Sequence, residues 1–198
     1  MSNASTCRVK ILVVPGSLRT GSLNARLAGE IVRELGQTDA EITHISLADY
    51  PLPIYDGDDE ANSGVHQNAI RLKRLMAQHH GVVIVSPEYN SSLPPLVKNT
   101  IDWVTRVSEN GEALGHVFRG RVFAIAAASN GKFGGMRVLM GLRQVLELGC
   151  GAQVIPRQMA LSFAETAYDD AGRLKNPADA AMLKNMVQQL VDISRRMM

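Results

Sequence analysis

Three near-continuous apolar runs, set between longer stretches whose apolar residues recur every three or four positions, constrain this 198-residue chain most. Val9 to Val14, Val82 to Ser86 and Val122 to Ala128 have the pattern of strands buried on both faces. Glu41 to Leu47 alternates through Ile42, Ile45 and Leu47 and predicts an edge strand, while Gln153 to Pro156 leads into a last strand region. Between them, Asn24 to Leu35 puts Leu27, Ile31 and Leu35 on one helical face before Gly36 ends it. Val65 to Gln78 has helical spacing at Ile70, Leu72, Leu75 and Met76. Pro95 to Arg106 opens with proline at the first turn, and Gly135 to Leu148 closes at Gly149 and Gly151. Asn176-Pro177 starts a terminal helix to Arg196, and Asp49 to Ser63 reads as an acidic loop holding prolines. Strands alternating with helices predict an α/β fold: one domain over 1–198, a doubly wound five-stranded parallel sheet, order 2-1-3-4-5, helices on both faces.

Chain length allows one core that buries roughly 70% of the unfolded surface. Charged residues are 20% of the chain, the formal charge is +2, and no basic block stands out, so no nucleic-acid partner is expected. The longest apolar run, Val122 to Ala128, is too short to span a bilayer, and Met1 to Arg8 lacks the apolar core of a signal peptide. Residues 1–7 are expected to be disordered or, around Ser2-Asn3-Ala4, a tag remnant. Cys7 and Cys150 make neither a disulfide framework nor a C-x-x-C motif, and no histidine spacing suits a metal, so a cytoplasmic protein without bound metal is expected. His79 and His80 suit a helix C-terminus. Met136, Met140, Met182 and Met186 read as core or interface filler. Trp103 reads as packing under a loop or at a subunit contact.

In such a sheet, ligands bind beyond the carboxyl ends of the strands where strand order reverses, between strands one and three. Polar loops follow strands one, three and four. The first, Pro15 to Asn24, joins a strand to a helix, whose first turn has unpaired N–H groups and a positive dipole end. Ser17, Thr20, Ser22 and Asn24 add neutral donors and Arg19 a charged one. No lysine follows Gly21, as a triphosphatase loop requires, and Gly16 and Gly21 are too far apart for G-x-G-x-x-G. Two readings remain: a phosphate-monoester site, or a polar turn with Ser22 or Asn24 as helix N-cap. The second loop, Ser86 to Pro95, offers flat surface at Pro87 and Tyr89 and donors at Asn90 and the backbone. The third, Ser129 to Gly135, has glycines that would let a ligand approach the backbone closely.

Together these residues resemble the NADPH-dependent FMN reductases, a flavodoxin-like group that includes quinone, azo-dye and chromate reductases. The matching pieces are Gly16-Ser17-Leu18-Arg19 with Ser22 and Asn24; Pro87-Glu88-Tyr89-Asn90 with Ser92 and Pro94; Lys98-Asn99 with Ile101-Asp102-Trp103; and Ser129, Gly131, Gly134-Gly135 and Arg137. The resemblance implies that Ser17, Arg19, Ser22 and Asn24 hold the FMN phosphate, with Leu18 beside them. It implies that Pro87, Glu88, Tyr89, Asn90 and Ser91 line the isoalloxazine, and that Ser129, Gly131, Lys132, Phe133 and Gly134 close its other side. Amides near Tyr89 and Asn90 would bond the hydride-accepting edge of the ring. Pro95 departs from the family's usual glycine and Asn130 from its usual proline.

The implied activity passes a hydride from NADPH or NADH through bound FMN to a quinone, flavin, azo or metal-oxyanion acceptor. The cofactor carries that chemistry, so no catalytic side chain is assigned. A homodimer or homotetramer with the flavin near the subunit interface is implied as well. The rival reading is a flavin-binding electron carrier or redox sensor without a nicotinamide site, which usually needs a strongly charged docking face that this near-neutral chain lacks. A phosphatase would need a nucleophile, and both cysteines lie far from the first loop in sequence. Arg19, Lys132 and Arg106 are candidates for the cation that would select NADPH.

Overall fold

The computed structural model describes residues 8–198; the expectation for residues 1–7, with Cys7, lies outside the described residues. The three apolar runs become the centre of the sheet as β1 (Lys10–Pro15), β3 (Gly81–Val85) and β4 (Val122–Ala128). All residues of β3 and β4 are buried, as helices on both faces require. Val13 pairs with Val83 and Val83 with Ala124, all in parallel register. β2 (Glu41–His44) lies outside β1, so the path is β2-β1-β3-β4-β5, as expected.

The far edge departs from the five-strand expectation. β5 (Gln153–Val154) pairs with β4 at Val122 and Phe123, and a sixth strand, β6 (Met159–Leu161), pairs with the other end of β4 at Ala126 to Ala128. Pro156 interrupts the edge between them, and Arg143 holds the break by donating to the Ile155 carbonyl at 2.9 Å and the Gln158 side chain at 3.2 Å.

One face of the sheet is covered by α1 (Leu23–Leu35) and α7 (Pro177–Arg196). Leu27, Ile31 and Leu35 pack with Leu183, Val187 and Leu190 over the strands. Asn176 caps α7 through the Ala178 N–H, where the Asn-Pro pair places its start. The other face carries α3 (Gln67–Ala77), α4 (Pro95–Thr105) and α6 (Met136–Gln144). A short helix, α5 (His116–Arg119), adds Phe118 stacked on Phe123.

Three segments differ locally from expectation. The acidic loop contains α2 (Gly57–Ser63), capped by the Asp56 carboxylate; none of its residues is buried, so it carries no apolar periodicity. The helix expected to run from Gly135 to Leu148 ends its α-turns at Gln144 and continues as a π-turn over Val145–Gly149. β2 stops at His44, and Leu47–Asp49 forms a 3-10 turn instead of extending the strand. Of the four methionines, Met186 alone is buried. Met136, Met140 and Met182 are exposed. Trp103 is buried under residues 53–55: its indole N–H donates to the Pro53 carbonyl at 2.8 Å, and the Tyr55 ring packs edge-on.

Candidate functional site

Gly16 lets the first loop lie against α4. Its N–H donates to the Val85 carbonyl at 2.8 Å, and a Cβ there would stand 2.3 Å from Val97 Cγ2. The chain then turns through Gly21 at φ +68°, and the Ser22 N–H closes the turn on the Arg19 carbonyl at 3.1 Å. Ser22 Oγ accepts from the Ala25 N–H at 3.3 Å, so Ser22 is the helix N-cap. Its hydroxyl proton still needs an acceptor, which a ligand phosphate would supply; capping and anion binding are compatible here. Leu18 and Arg19 are exposed, and Arg19 makes no ion pair among the described residues.

Asn24, expected as a phosphate donor, serves as a clamp through its Oδ1 and one of its two amide hydrogens. It is buried, its Nδ2 donates to the Ala128 carbonyl at 3.0 Å and its Oδ1 accepts the Ala128 N–H at 2.9 Å. The side chain ties the start of α1 to the end of β4 and so holds the first and third loops side by side. Sequence spacing carries no sign of this contact, which joins residues 104 positions apart.

The second loop holds a tight turn. Tyr89 and Ser92 exchange backbone hydrogen bonds of 3.1 and 3.0 Å around Asn90 at φ +51° and Ser91 at φ +65°, the geometry of a hairpin turn with two left-handed residues. The Tyr89 N–H is therefore taken, and the donor expected there falls to Asn90. Glu88 is likewise engaged by the protein itself, with Oε1 3.0 Å from Arg137 Nε and Oε2 accepting the Val138 N–H at 3.1 Å. It is neither solvated nor a free polar group for a ring; it fastens the second loop to the first turn of α6, where a carboxylate suits the helix dipole. Pro95 sits exposed at the first turn of α4.

In the third loop, Ser129 Oγ accepts the Gly131 N–H at 3.2 Å, and the Ser129 N–H bonds to the Leu161 carbonyl at 3.0 Å. A Cβ on Gly131 would meet Ser129 Oγ at 3.6 Å, an ordinary contact. Gly134 and Gly135 are tighter. A Cβ on Gly134 would lie 2.7 Å from the Ala160 carbonyl carbon, and one on Gly135 2.7 Å from Ala127 Cβ. Gly134 thus admits the Ala160–Leu161 backbone and Gly135 the Ala127 methyl group, a packing reason for glycine beside the expected ligand one.

Asn130 bonds Glu165 twice, donating to its carboxylate at 3.0 Å and accepting its N–H at 2.9 Å, and the Ser162 hydroxyl donates to the Lys132 carbonyl at 2.8 Å. Residues 162–165 thus fix the course of the third loop, and sequence reasoning missed them. The one signal is that a segment rich in small and polar residues, Ser162 to Thr166, follows another short apolar triplet.

Three loops meet in one cleft of about 210 Å³ whose lining includes Ser17, Arg19, Ser22, Glu88, Tyr89 and Ser129. Lys132 and Phe133 lie outside its lining, just after Asn130, which is part of it: Phe133 is 54% exposed, with Lys132 Nζ 4.9 Å and the Cζ of Arg137, the partner of Glu88, 5.4 Å from its ring centre. Arg106 lies away from this cleft, at the C-terminal end of α4, with its Nε held by the Glu60 carboxylate at 2.8 and 3.1 Å. The described residues contain no group of three metal-ligating side chains. Burial pushes the Cys150 thiol up to about 11, so it stays protonated at neutral pH. The arrangement offers hydroxyl and amide donors, one free guanidinium and exposed rings. These are means of holding an anionic planar molecule rather than of breaking a bond.

The chain resembles known proteins over most of its length. Residues 9–166 match the family described as NADPH-dependent FMN reductase. A quinone reductase of Escherichia coli is 34% identical over 140 residues, 70% of each chain. An NAD(P)H-dependent FMN reductase of Pseudomonas aeruginosa is 31% identical over 183 residues, 92% of this chain and 93% of that one. Among solved structures, the flavoenzyme NAD(P)H:(acceptor) oxidoreductase FerB of Paracoccus denitrificans superposes with a TM-score of 0.77 at 27% identity, covering 95% of this chain and 98% of its own. With its sheet order, its loop motifs and these relatives in agreement, the chain belongs to the NADPH-dependent FMN reductase family.

Proposed function

We propose that this chain binds FMN in the cleft beyond β1, β3 and β4 and works as an NAD(P)H oxidoreductase toward a quinone, flavin, azo compound or metal oxyanion. The observation that carries the reading is the convergence of hydroxyls, a free guanidinium and an exposed aromatic ring from three separate loops on one cleft. The donor set fits the group. Ser17, Ser22 and Arg19 at the head of α1 suit a phosphate monoester, and Gly131 leaves room for a close neighbour.

When bound, FMN supplies the redox chemistry, accepting a hydride from a nicotinamide and returning two electrons to the acceptor. The chain's own residues bind and orient. Asn24 and Glu88 set the spacing of the loops; with FMN bound, the Asn90 N–H would serve the ring edge, Tyr89 would offer it a flat surface, and the amides of residues 132 and 133 would steady negative charge on its far side. Leu18, Pro87, Ser91 and Gly134 complete the lining or its support.

A second copy of the chain docks on the groove between α4 and the π-turn, beside the second loop. Leu148 is 82% and Met140 66% exposed there, next to a cavity of about 710 Å³. None of the described helices is long and apolar enough to cross a membrane, and a cytoplasmic location is part of the proposal. Steady-state rates of the FMN-loaded protein with NADPH and a quinone should give the parallel reciprocal plots of a ping-pong mechanism. Intersecting plots, or rates indifferent to FMN, would count against it.

A further inference from the structure

A cationic platform of side chains lies outside the lining of the cleft. Arg137, on the first turn of α6, is locked from behind: Glu88 takes its Nε at 3.0 Å, and its guanidinium lies against the Phe133 ring. Its two Nη groups make no hydrogen bond among the described residues, and its side chain is 52% exposed. Lys132 shares the same ring and has neither an ion pair nor a side-chain hydrogen bond among the described residues. Glu88 is the one carboxylate paired within this group, and the nearby Glu165 is turned to Asn130. The platform therefore keeps a net positive charge beside an exposed aromatic face.

Two cations that share a single carboxylate, with the Arg137 Nη groups and the Lys132 ammonium unpaired among the described residues, match, next to a flat ring, a planar base that carries a phosphate dianion one sugar away. Neither a neutral quinone nor a pyrophosphate flanked by riboses offers that combination. Of the other cations weighed, Arg19 belongs to the phosphate loop and Arg106 stands at the far end of α4 from the second loop. We infer that Arg137 and Lys132, arrayed on Phe133, form the subsite for the adenosine 2′-phosphate of NADPH, and that they make the chain prefer NADPH over NADH. This rests on the proposed oxidoreductase activity. Glu88 is then a positioning residue twice over, holding the second loop to α6 and aiming Arg137.

The test uses FMN-loaded protein and two probes, adenosine 2′,5′-bisphosphate and 5′-AMP, titrated calorimetrically, alongside kcat/KM for NADPH and NADH. The native protein should bind the bisphosphate more tightly than AMP. Arg137→Leu should reduce that preference roughly tenfold, the loss of about one charge-assisted contact. The NADPH-to-NADH ratio of kcat/KM should fall in parallel through KM, and Arg137→Lys should restore part of it. Lys132→Gln breaks no contact that holds the fold, so it keeps the test open if Arg137→Leu misfolds; it should lower the same ratio severalfold.

An unchanged preference in both variants would overturn the subsite. Equal losses for NADH and AMP would move the platform to the pyrophosphate, and a loss confined to anionic acceptors would make it an acceptor site; either result overturns the inference. A native protein that takes up no FMN and oxidises neither nicotinamide would instead defeat the functional reading. Intact FMN uptake and NADH oxidation with an unmoved preference would defeat the subsite alone.

Discussion

The two ends of the sheet handle polar groups in opposite ways. At the amino end the partly buried polar side chains beside the strands are taken up by the fold. The Lys10 N–H donates to His80 Nδ1 at 2.9 Å. His79 sits between the Leu75 carbonyl at 2.7 Å and the Thr43 hydroxyl at 2.8 Å, which makes the expected helix-end role concrete. Arg121 donates to the carbonyls of Ala77, Met76 and His79 at the end of α3. At the carboxyl end, Asn24 and Glu88 are consumed in the same manner, yet Arg19, Lys132, the Arg137 Nη groups and the Asn90 N–H are left over. These donors are exposed, so water satisfies them and the fold does not need them paired; gathered at the edge where strand order reverses, they are free to serve a ligand. The difference separates residues that hold the sheet together from residues that hold something else.

Substitutions at the two ends should therefore fail differently. Gly134→Val tests the buttress of the carboxyl end and should cost most, about 3–5 kcal/mol, because φ is +59° and the new side chain meets the Ala160 backbone. Chemical denaturation measures it, and FMN affinity should fall as well because the third loop is displaced. Arg121→Ala should cost about 2 kcal/mol of stability by orphaning carbonyls at the end of α3, with FMN affinity unchanged. A large FMN effect there would break the comparison.

Acid sharpens it further. Burial holds His79 and His80 below their ordinary 6.5, so both stay neutral in the fold while the unfolded chain takes up protons. Their contribution to stability is complete above about pH 6.5 and declines as pH falls from there through the lowered folded values. Urea midpoints at about pH 7.5 and about pH 5.5 should show that drop, and His79→Gln should reduce it. Arg19→Ala should move stability least, by less than about 0.5 kcal/mol, yet weaken FMN binding roughly tenfold in a fluorescence titration.

The sheet and the position of the site were legible because buried parallel strands announce themselves as apolar runs and the reversal of strand order follows from the fold. What the residues of each loop do was only partly legible. Asn24 has the same chemistry whether it faces a phosphate or the Ala128 backbone, and the deciding contact spans most of the domain. Gly134 looks like a ligand-cradling glycine until β6 is known to lie against it. β6 itself is three residues long, too short to register as a period, and α2 buries nothing. The π-turn at Val145–Gly149 preserves the apolar spacing of a helix, so sequence reads straight through it.

The leftover donors at the carboxyl end are free to serve a ligand, and one titration tests that implication directly. FMN added to the purified native chain should bind at one equivalent with quenched fluorescence, and the yellow colour should bleach when NADPH is added without oxygen. A folded chain that leaves FMN fluorescence unquenched and its colour unbleached would contradict that implication.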